Sequence, residues 1–185
     1  MTLKKINAIL SLLSIILLAA HLGTCIYSYL TLVFMPGPIK ILARISSVFI
    51  IAHVVISIII LFTQADGFKR DRYPGLNKRT NIQRISGIVI LLMLSMHFKA
   101  YRIVTKLSAA GSPAVRPIML AQSVFFAAVI LHIAVSVSKA FISLGIITTE
   151  QQKNKVDRIV YIISAIVFVI AEFAVIRGWS QLFLV

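Results

Sequence analysis

The chain has 185 residues, of which 59% are hydrophobic and 13% charged, and its mean hydropathy is +1.00. Soluble domains of ordinary composition do not reach these values. The formal net charge of +14 permits nucleic-acid binding, but basic loops on a membrane protein more often contact anionic lipid headgroups or acidic partners. We therefore expect an integral membrane protein that contacts lipid and binds no nucleic acid.

Five apolar segments are long enough to cross a hydrocarbon core of about 30 Å as helices. They cover roughly residues 6–34, 40–63, 83–107, 117–146 and 157–177. Backbone groups in lipid must be hydrogen-bonded within the segment, and the sequence lacks the period-2 alternation of barrel strands. The sequence therefore predicts an all-α integral membrane bundle of five transmembrane helices, with residues 1–185 forming a single domain.

The distribution of basic residues predicts the orientation of this bundle. With a cytoplasmic N-terminus, 12 of the 19 lysines and arginines fall on the cytoplasmic side and 7 on the outer side, as the positive-inside rule favours. We expect the N-terminus to be cytoplasmic and the C-terminus outside. The long loop from Gln64 to Gln83 is then the expected docking surface for a soluble partner, and Met35 to Pro38 forms a tight outer turn. Further breaks are expected at residues 111–117 outside and 148–157 inside.

The chain contains four histidines, one within each of the first four apolar segments: His21, His53, His97 and His132. Random scatter gives this arrangement with a probability of only about 0.008 for helices of roughly 25 residues. Histidines inside a bundle can join helices by hydrogen bonds, but ionisable groups at membrane depth more often mark a cofactor or ion path. The single cysteine, Cys25, excludes a cysteine-based cluster. We therefore interpret the histidines as ligands of two haem b groups held without covalent attachment.

Depth along the helices predicts how the histidines pair. At 1.5 Å per residue, His21 and His97 lie about 20 Å from the cytoplasmic ends of their segments, whereas His53 and His132 lie only about 10–14 Å from them. We expect an outer pair, His21 with His97, and an inner pair, His53 with His132. Each pair could supply two neutral imidazoles to one iron, the ligand set of a low-spin electron-transfer haem.

Basic residues near the interfaces are candidates to offset haem propionates or to contact quinone. Arg44, Lys99 and Arg102 could serve the outer haem, and Arg84 and Lys139 the inner one. The alternative is that these side chains extend to the lipid headgroups.

The histidine layout and one motif resemble a known family. The stretch from Asn81 to Gly87, where the third segment begins, contains an Arg-x-Ser-Gly element ten residues before His97. Together with one histidine in each of four helices and a fifth helix following, this resembles the dihaem cytochrome b subunit of succinate:quinone oxidoreductases and fumarate reductases, over nearly the whole chain. In that family the first and third helices hold the distal haem and the second and fourth the proximal haem.

The resemblance implies a membrane anchor on which a cytoplasmic iron-sulfur subunit and a flavoprotein subunit dock. Electrons would pass through the two haems between the soluble succinate/fumarate site and a membrane quinone, with menaquinone expected. The chain itself would not catalyse the dicarboxylate step. The expected location is the cell (inner) membrane of a prokaryote, and a dimer of complexes remains open.

Two departures from the family concern acidic residues. Some members carry a glutamate in the turn after the first helix and another two residues before the fourth-helix ligand; here that turn has no acidic residue and the second position is Ile130. Glu172, in the fifth segment, is the remaining candidate for proton or quinone chemistry. A salt bridge from Glu172 to Arg177 or to an outer-loop base is an equally favoured interpretation.

Other classes of membrane protein remain as alternatives. Ferric reductases and the membrane subunits of hydrogenase or nitrate reductase often place two histidines on one helix about two to four turns apart, which no segment here does. A haem-free transporter or assembly protein would be expected to show inverted repeats or broken helices, and the glycines do not form such matched interruptions. A dihaem subunit of a different flavoprotein oxidoreductase is not distinguished by this sequence.

Overall fold

The computed structural model describes residues 1–63, 74–106 and 115–183, and within them the chain is helical. The described helices are α1 (Leu3–Thr31), α2 (Pro36–Thr63), α3 (Pro74–Lys106), α4 (Val115–Leu144) and α5 (Glu150–Phe183). Each of these five described helices is long and apolar enough to cross a membrane. The predicted all-α bundle of membrane-spanning helices is therefore confirmed for this part of the chain.

The turn between α1 and α2 differs from the prediction. Pro36, Gly37 and Pro38 form the first turn of α2, so the connection lies earlier in the chain, from Leu32 to Met35. Leu32 ends α1 in the left-handed conformation, with φ of 60°. Prolines fit in the first turn of a helix because amide groups there have no acceptor in the preceding turn. The double proline thus starts a helix and does not form the turn itself.

Two helices begin earlier than the hydropathy predicts. α3 starts at Pro74 and α5 at Glu150, because their first turns are polar and still helical. The remaining part of the predicted docking loop, residues 64–73, and most of the predicted outer break, residues 107–114, lie outside the described residues. α4 ends at Leu144. The next residue, Gly145, has a φ of +80°, and the amide of Ile146 donates to the carbonyl of Phe141, as in a Schellman cap.

α4 lies at the centre of the bundle. It packs against α1, α3 and α5, while α2 packs chiefly against α1. The side of α2 that faces away from α1 carries exposed Val48, Ile51 and Val55. Similar exposed apolar side chains cover α3 and α5, as expected for helices in contact with lipid acyl chains.

Polar contacts join the helices at the end of the bundle that contains the N-terminus. Arg79 of α3 donates Nε to the Val135 carbonyl at 2.8 Å, and its Nη2 donates to Ser138 of α4 at 2.7 Å. The same guanidinium forms a bidentate ion pair with Asp157 of α5, which also accepts from Lys153 at 3.0 Å. One arginine therefore connects three helices. α1 and α2 are connected separately, by hydrogen bonds between Asn7 and Ser57 at 3.1 and 3.3 Å.

Tight aromatic packing closes the opposite end. Trp179 of α5 is fully buried, and its indole N–H donates to the Tyr29 hydroxyl of α1 at 3.1 Å. Gly178 allows this contact, because a Cβ at that position would lie 2.5 Å from Tyr29 Cδ1. Val115 and Val175 pack in the same buried cluster. The two ends of the bundle are thus held by different means, ionic at one and aromatic at the other.

Candidate functional site

The structure brings His21 of α1 and His97 of α3 together. Their ring centroids lie 6.3 Å apart with an interplanar angle of 78°. Phe125 of α4 stacks on the His97 ring at a centroid distance of 4.7 Å and an angle of 23°. Two imidazoles this close can both reach one metal ion, since each metal–nitrogen bond is only about 2 Å long.

His97 has a hydrogen-bond partner that the sequence analysis did not identify. The side-chain amide of Gln122 on α4 lies against His97 Nδ1, with its oxygen at 3.2 Å and its nitrogen at 3.0 Å. Gln122 is only 3% exposed. The signal in the sequence is that Gln122 is the single glutamine or asparagine within the α4 segment, and a buried amide in lipid requires a partner.

His132 is held by two groups of α3. Its Nδ1 lies 3.0 Å from the main-chain carbonyl of Gln83 and 3.1 Å from the Ser86 hydroxyl. A carbonyl can only accept, so the neutral ring must donate Nδ1–H and keep its lone pair on Nε2. Gly87 lies beside the same ring, and a Cβ there would be 3.4 Å from His132 Cε1. The Ser-Gly pair of the family-like motif therefore contacts a histidine on the neighbouring helix.

His21 and His53, on the first two helices, are held differently. The Nδ1 atoms of both are buried and have no hydrogen-bond partner among the described residues. Cys25 Sγ lies 3.8 Å from His21 Nε2, a long contact. A buried polar atom without a partner costs about 1–3 kcal/mol, and no group in the described part of the chain fixes the Nδ1 tautomer of these two imidazoles.

A cavity of about 290 Å³ surrounds the His21–His97 pair. Its walls are mostly apolar and come from all five described helices, with Ser46 and Ser47 contributed by α2. The buried Ser28, whose hydroxyl has no hydrogen-bond partner within the described part of the chain, also lines it. A concave apolar space with a few polar groups is typical of a small-molecule or cofactor site.

The basic residues predicted to contact propionates or quinone do not line this cavity. Arg44, Lys99 and Arg102 are exposed near the end of the bundle away from the N-terminus, and Arg84 is half-buried. Lys139 of α4 donates to the Thr80 hydroxyl at 2.7 Å and to the Gln83 side-chain oxygen at 2.9 Å. Lys139 is thus joined to the residue whose carbonyl contacts His132, while the other four side chains are absent from the cavity lining.

Glu172 pairs with Ser123 of α4, whose hydroxyl donates to the carboxylate at 2.6 Å. Its second oxygen is buried without a hydrogen-bond partner in the described residues. The expected salt bridge to Arg177 is not formed, since the ion pairs found among the described residues involve Asp157. The reason is helix geometry: five residues do not return to the same face of a helix, and Arg177 is exposed while Glu172 faces α4.

No group of three or more histidine, cysteine or acidic side chains that could hold a metal ion occurs in residues 1–63, 74–106 and 115–183. A site with two imidazole ligands, as in a bis-histidine haem, is smaller than the groups to which this absence applies. The chain matches no protein-family model, no curated protein and no solved structure.

Proposed function

We propose that the chain is the membrane anchor and dihaem electron-transfer subunit of a succinate:quinone oxidoreductase, either a succinate dehydrogenase or a fumarate reductase. The observation that carries the proposal is the arrangement of four histidines at two levels of one helical bundle. The outer level contains His21 and His97, whose ring centroids lie 6.3 Å apart, and we assign His53 and His132 to the inner level.

The separation of the levels follows from two helices independently. On α3, His97 comes 11 residues after Ser86, which contacts His132; this is about 16 Å along the axis. On α4, His132 comes 10 residues after Gln122, which contacts His97; this is about 15 Å. The two estimates agree, so the histidine levels are distinct and are stacked along the bundle axis.

The chemistry of the four side chains fits haem ligation. His97 and His132 have Nδ1 partners, the usual outer-shell support of a metal-binding imidazole, and would bind the iron through Nε2. His21 and His53 have no such Nδ1 partner within the described residues, so their part in the proposal rests on their positions in the bundle. His21 and His97 would hold the outer haem b, and His53 and His132 the inner one. Haem supplies a one-electron carrier when bound; the protein residues orient it and exclude water.

Charge and topology support the partners and the location. With the N-terminus cytoplasmic and the C-terminus outside, the basic cytoplasmic side would face an iron-sulfur subunit and a flavoprotein subunit. The quinone, expected to be menaquinone, would react near the outer histidine level, with Glu172 as a proton-carrying side chain. Arg44, Lys99 and Arg102 are assigned to the outer interface, and Arg84 and Lys139 to the inner one. The location would be the cell membrane of a prokaryote.

One observation favours a second candidate. The hydrogen bonds from His97 to Gln122 and from His132 to Gln83 and Ser86 each join α3 to α4. Such bonds also stabilise membrane bundles that contain no cofactor. In that case the chain would be a haem-free membrane protein, such as a transporter or assembly factor.

The decisive experiment is a reduced-minus-oxidised difference spectrum of the purified full chain, with a pyridine haemochrome count per polypeptide. We expect two non-covalent b haems per chain, and co-purification of a flavin-containing partner from its native membrane. The absence of haem from the natively expressed chain would contradict the proposal and favour the second candidate. Two haems without succinate or fumarate activity in the native complex would assign the chain to another oxidoreductase.

A further inference from the structure

Gln122 of α4 is buried and contacts His97 of α3. It lies ten residues before His132, the histidine of its own helix. Its amide meets Nδ1 of His97 edge-on, at 3.0 and 3.2 Å. Phe125, one turn later on α4, stacks on the face of the same ring. Two residues of α4 that share one helix face therefore contact the His97 imidazole: Gln122 contacts its edge and Phe125 contacts its face.

The orientation of this amide decides which imidazole nitrogen carries the lone pair. When the Gln122 oxygen accepts from Nδ1–H, the lone pair of His97 is on Nε2, which is then free to bind a metal. When the amide nitrogen donates to Nδ1, Nε2 carries the proton and cannot bind. Either orientation is possible, since both amide atoms lie within hydrogen-bond distance of Nδ1.

His132 differs in this respect. Besides the Ser86 hydroxyl, its Nδ1 has the main-chain carbonyl of Gln83 as a partner, and a carbonyl has no donor group and can only accept. The tautomer of His132 is thus fixed by the backbone, whereas that of His97 depends on one side chain. Substituting a side chain can therefore change the environment of His97 without touching that of His132.

We propose that Gln122 is a positioning residue for His97: its side-chain oxygen accepts from Nδ1–H, which leaves Nε2 free to bind, and this hydrogen bond raises the donor strength of Nε2 toward a metal. This inference rests on the proposed haem function. A hydrogen bond to the outer nitrogen of a metal-bound imidazole fixes the ring and tunes its basicity.

Two substitutions with opposite expected effects test the assignment. Gln122→Glu retains the size of the side chain and supplies a stronger acceptor, so it should lower the midpoint potential of one haem by stabilising the oxidised iron. Gln122→Met removes the acceptor and should raise the same potential or release that haem. The second haem, on His53 and His132, should keep its potential in both variants. Gln181→Met, at an exposed position of α5, is the matched glutamine control.

The measurement is a redox titration of the purified full chain, followed by optical spectra and by electron paramagnetic resonance of the oxidised haems. Unchanged potentials and signals for both haems in Gln122→Glu and Gln122→Met would overturn the assignment, as would equal shifts of both haems. If Gln122→Met does not fold, the near-isosteric Gln122→Glu decides alone. Failure of the proposed function looks different, because the unsubstituted chain would then contain no haem to titrate.

Discussion

The guanidinium of Arg79 and the carboxylate of Asp157, 78 residues apart in the chain, form a bidentate ion pair with N–O distances of 2.7 and 2.8 Å. Both side chains are nearly buried, at 12% and 11% exposure. Arg79 also donates to Val135 and Ser138, so each of its three nitrogens is used. The pair therefore joins α3 to α5 beside α4.

Replacing Arg79 with methionine should strongly destabilise the bundle, because Asp157 would keep only Lys153 as a partner. Removing one member of a buried ion pair costs about 3–5 kcal/mol. The measurement is the free energy of unfolding in detergent. Lys153→Met is the matched control, since its pair with Asp157 is more exposed and pairs of that kind contribute at most about 1 kcal/mol. Equal losses of unfolding free energy in the two variants would show that Arg79 stabilises the bundle no more than Lys153 does.

Gly178→Ala should lower the melting temperature, because the new Cβ would collide with the ring of Tyr29 and displace the Trp179 hydrogen bond. Overpacking of this kind costs about 1–3 kcal/mol. Gly23→Ala is the matched control: nothing lies within 4 Å of its Cβ position, and alanine is the better helix former. Thermal unfolding of the two variants should move in opposite directions. A Gly178→Ala protein as stable as the parent would contradict the tight contact.

Replacing single histidines should remove one haem at a time if the proposed function is right. His53→Ala or His132→Ala should remove the inner haem and uncouple the docked flavoprotein from quinone. His21→Ala or His97→Ala should leave the inner haem in place and reduce quinone turnover. The haem count per chain and the difference spectrum check both statements. Retention of two haems in any of the four variants would contradict the ligand assignment.

Glu172→Gln should preserve the fold, since an amide can keep the Ser123 hydrogen bond and needs no charge stabilisation inside the bundle. If Glu172 carries protons to or from quinone, the same change should slow quinone turnover while the haem count stays at two. Ser123→Ala is the companion variant, because it removes the hydrogen bond and leaves the carboxyl group. Unchanged turnover in Glu172→Gln would exclude the proton-carrying role.

The number and type of helices could be predicted from the sequence because an apolar run of about 20 residues has few other structures available in lipid. The ends of the helices are predicted less accurately than their number. Pro36 looks like a turn residue and begins a helix, and the polar first turns before Gln83 and Asp157 are helical although hydropathy ends there. Helix ends depend on caps and on packing, which a hydropathy window does not measure.

Part of the candidate site is also accessible from sequence. Axial distance along a helix places His21 and His97 at a common depth, and the structure has their rings 6.3 Å apart. The hydrogen-bond partners of the histidines depend on how each helix is rotated about its own axis, and the depth of a residue in the membrane does not give this rotation. Gln122, the Gln83 carbonyl and the pairing of Glu172 with Ser123 instead of Arg177 emerge only when the helices are packed.

The separate attachment of α1 and α2 has a consequence for the order of synthesis. The Asn7–Ser57 contact joins the first two helices to each other, and α2 packs chiefly on α1. His53 is therefore in the membrane well before His132, which is encoded 79 residues later. At about 5–20 residues per second, this delay is roughly 4–16 s. Any group bound between these two histidines must be captured after the fourth helix has been made, by a chain whose first hairpin is already inserted.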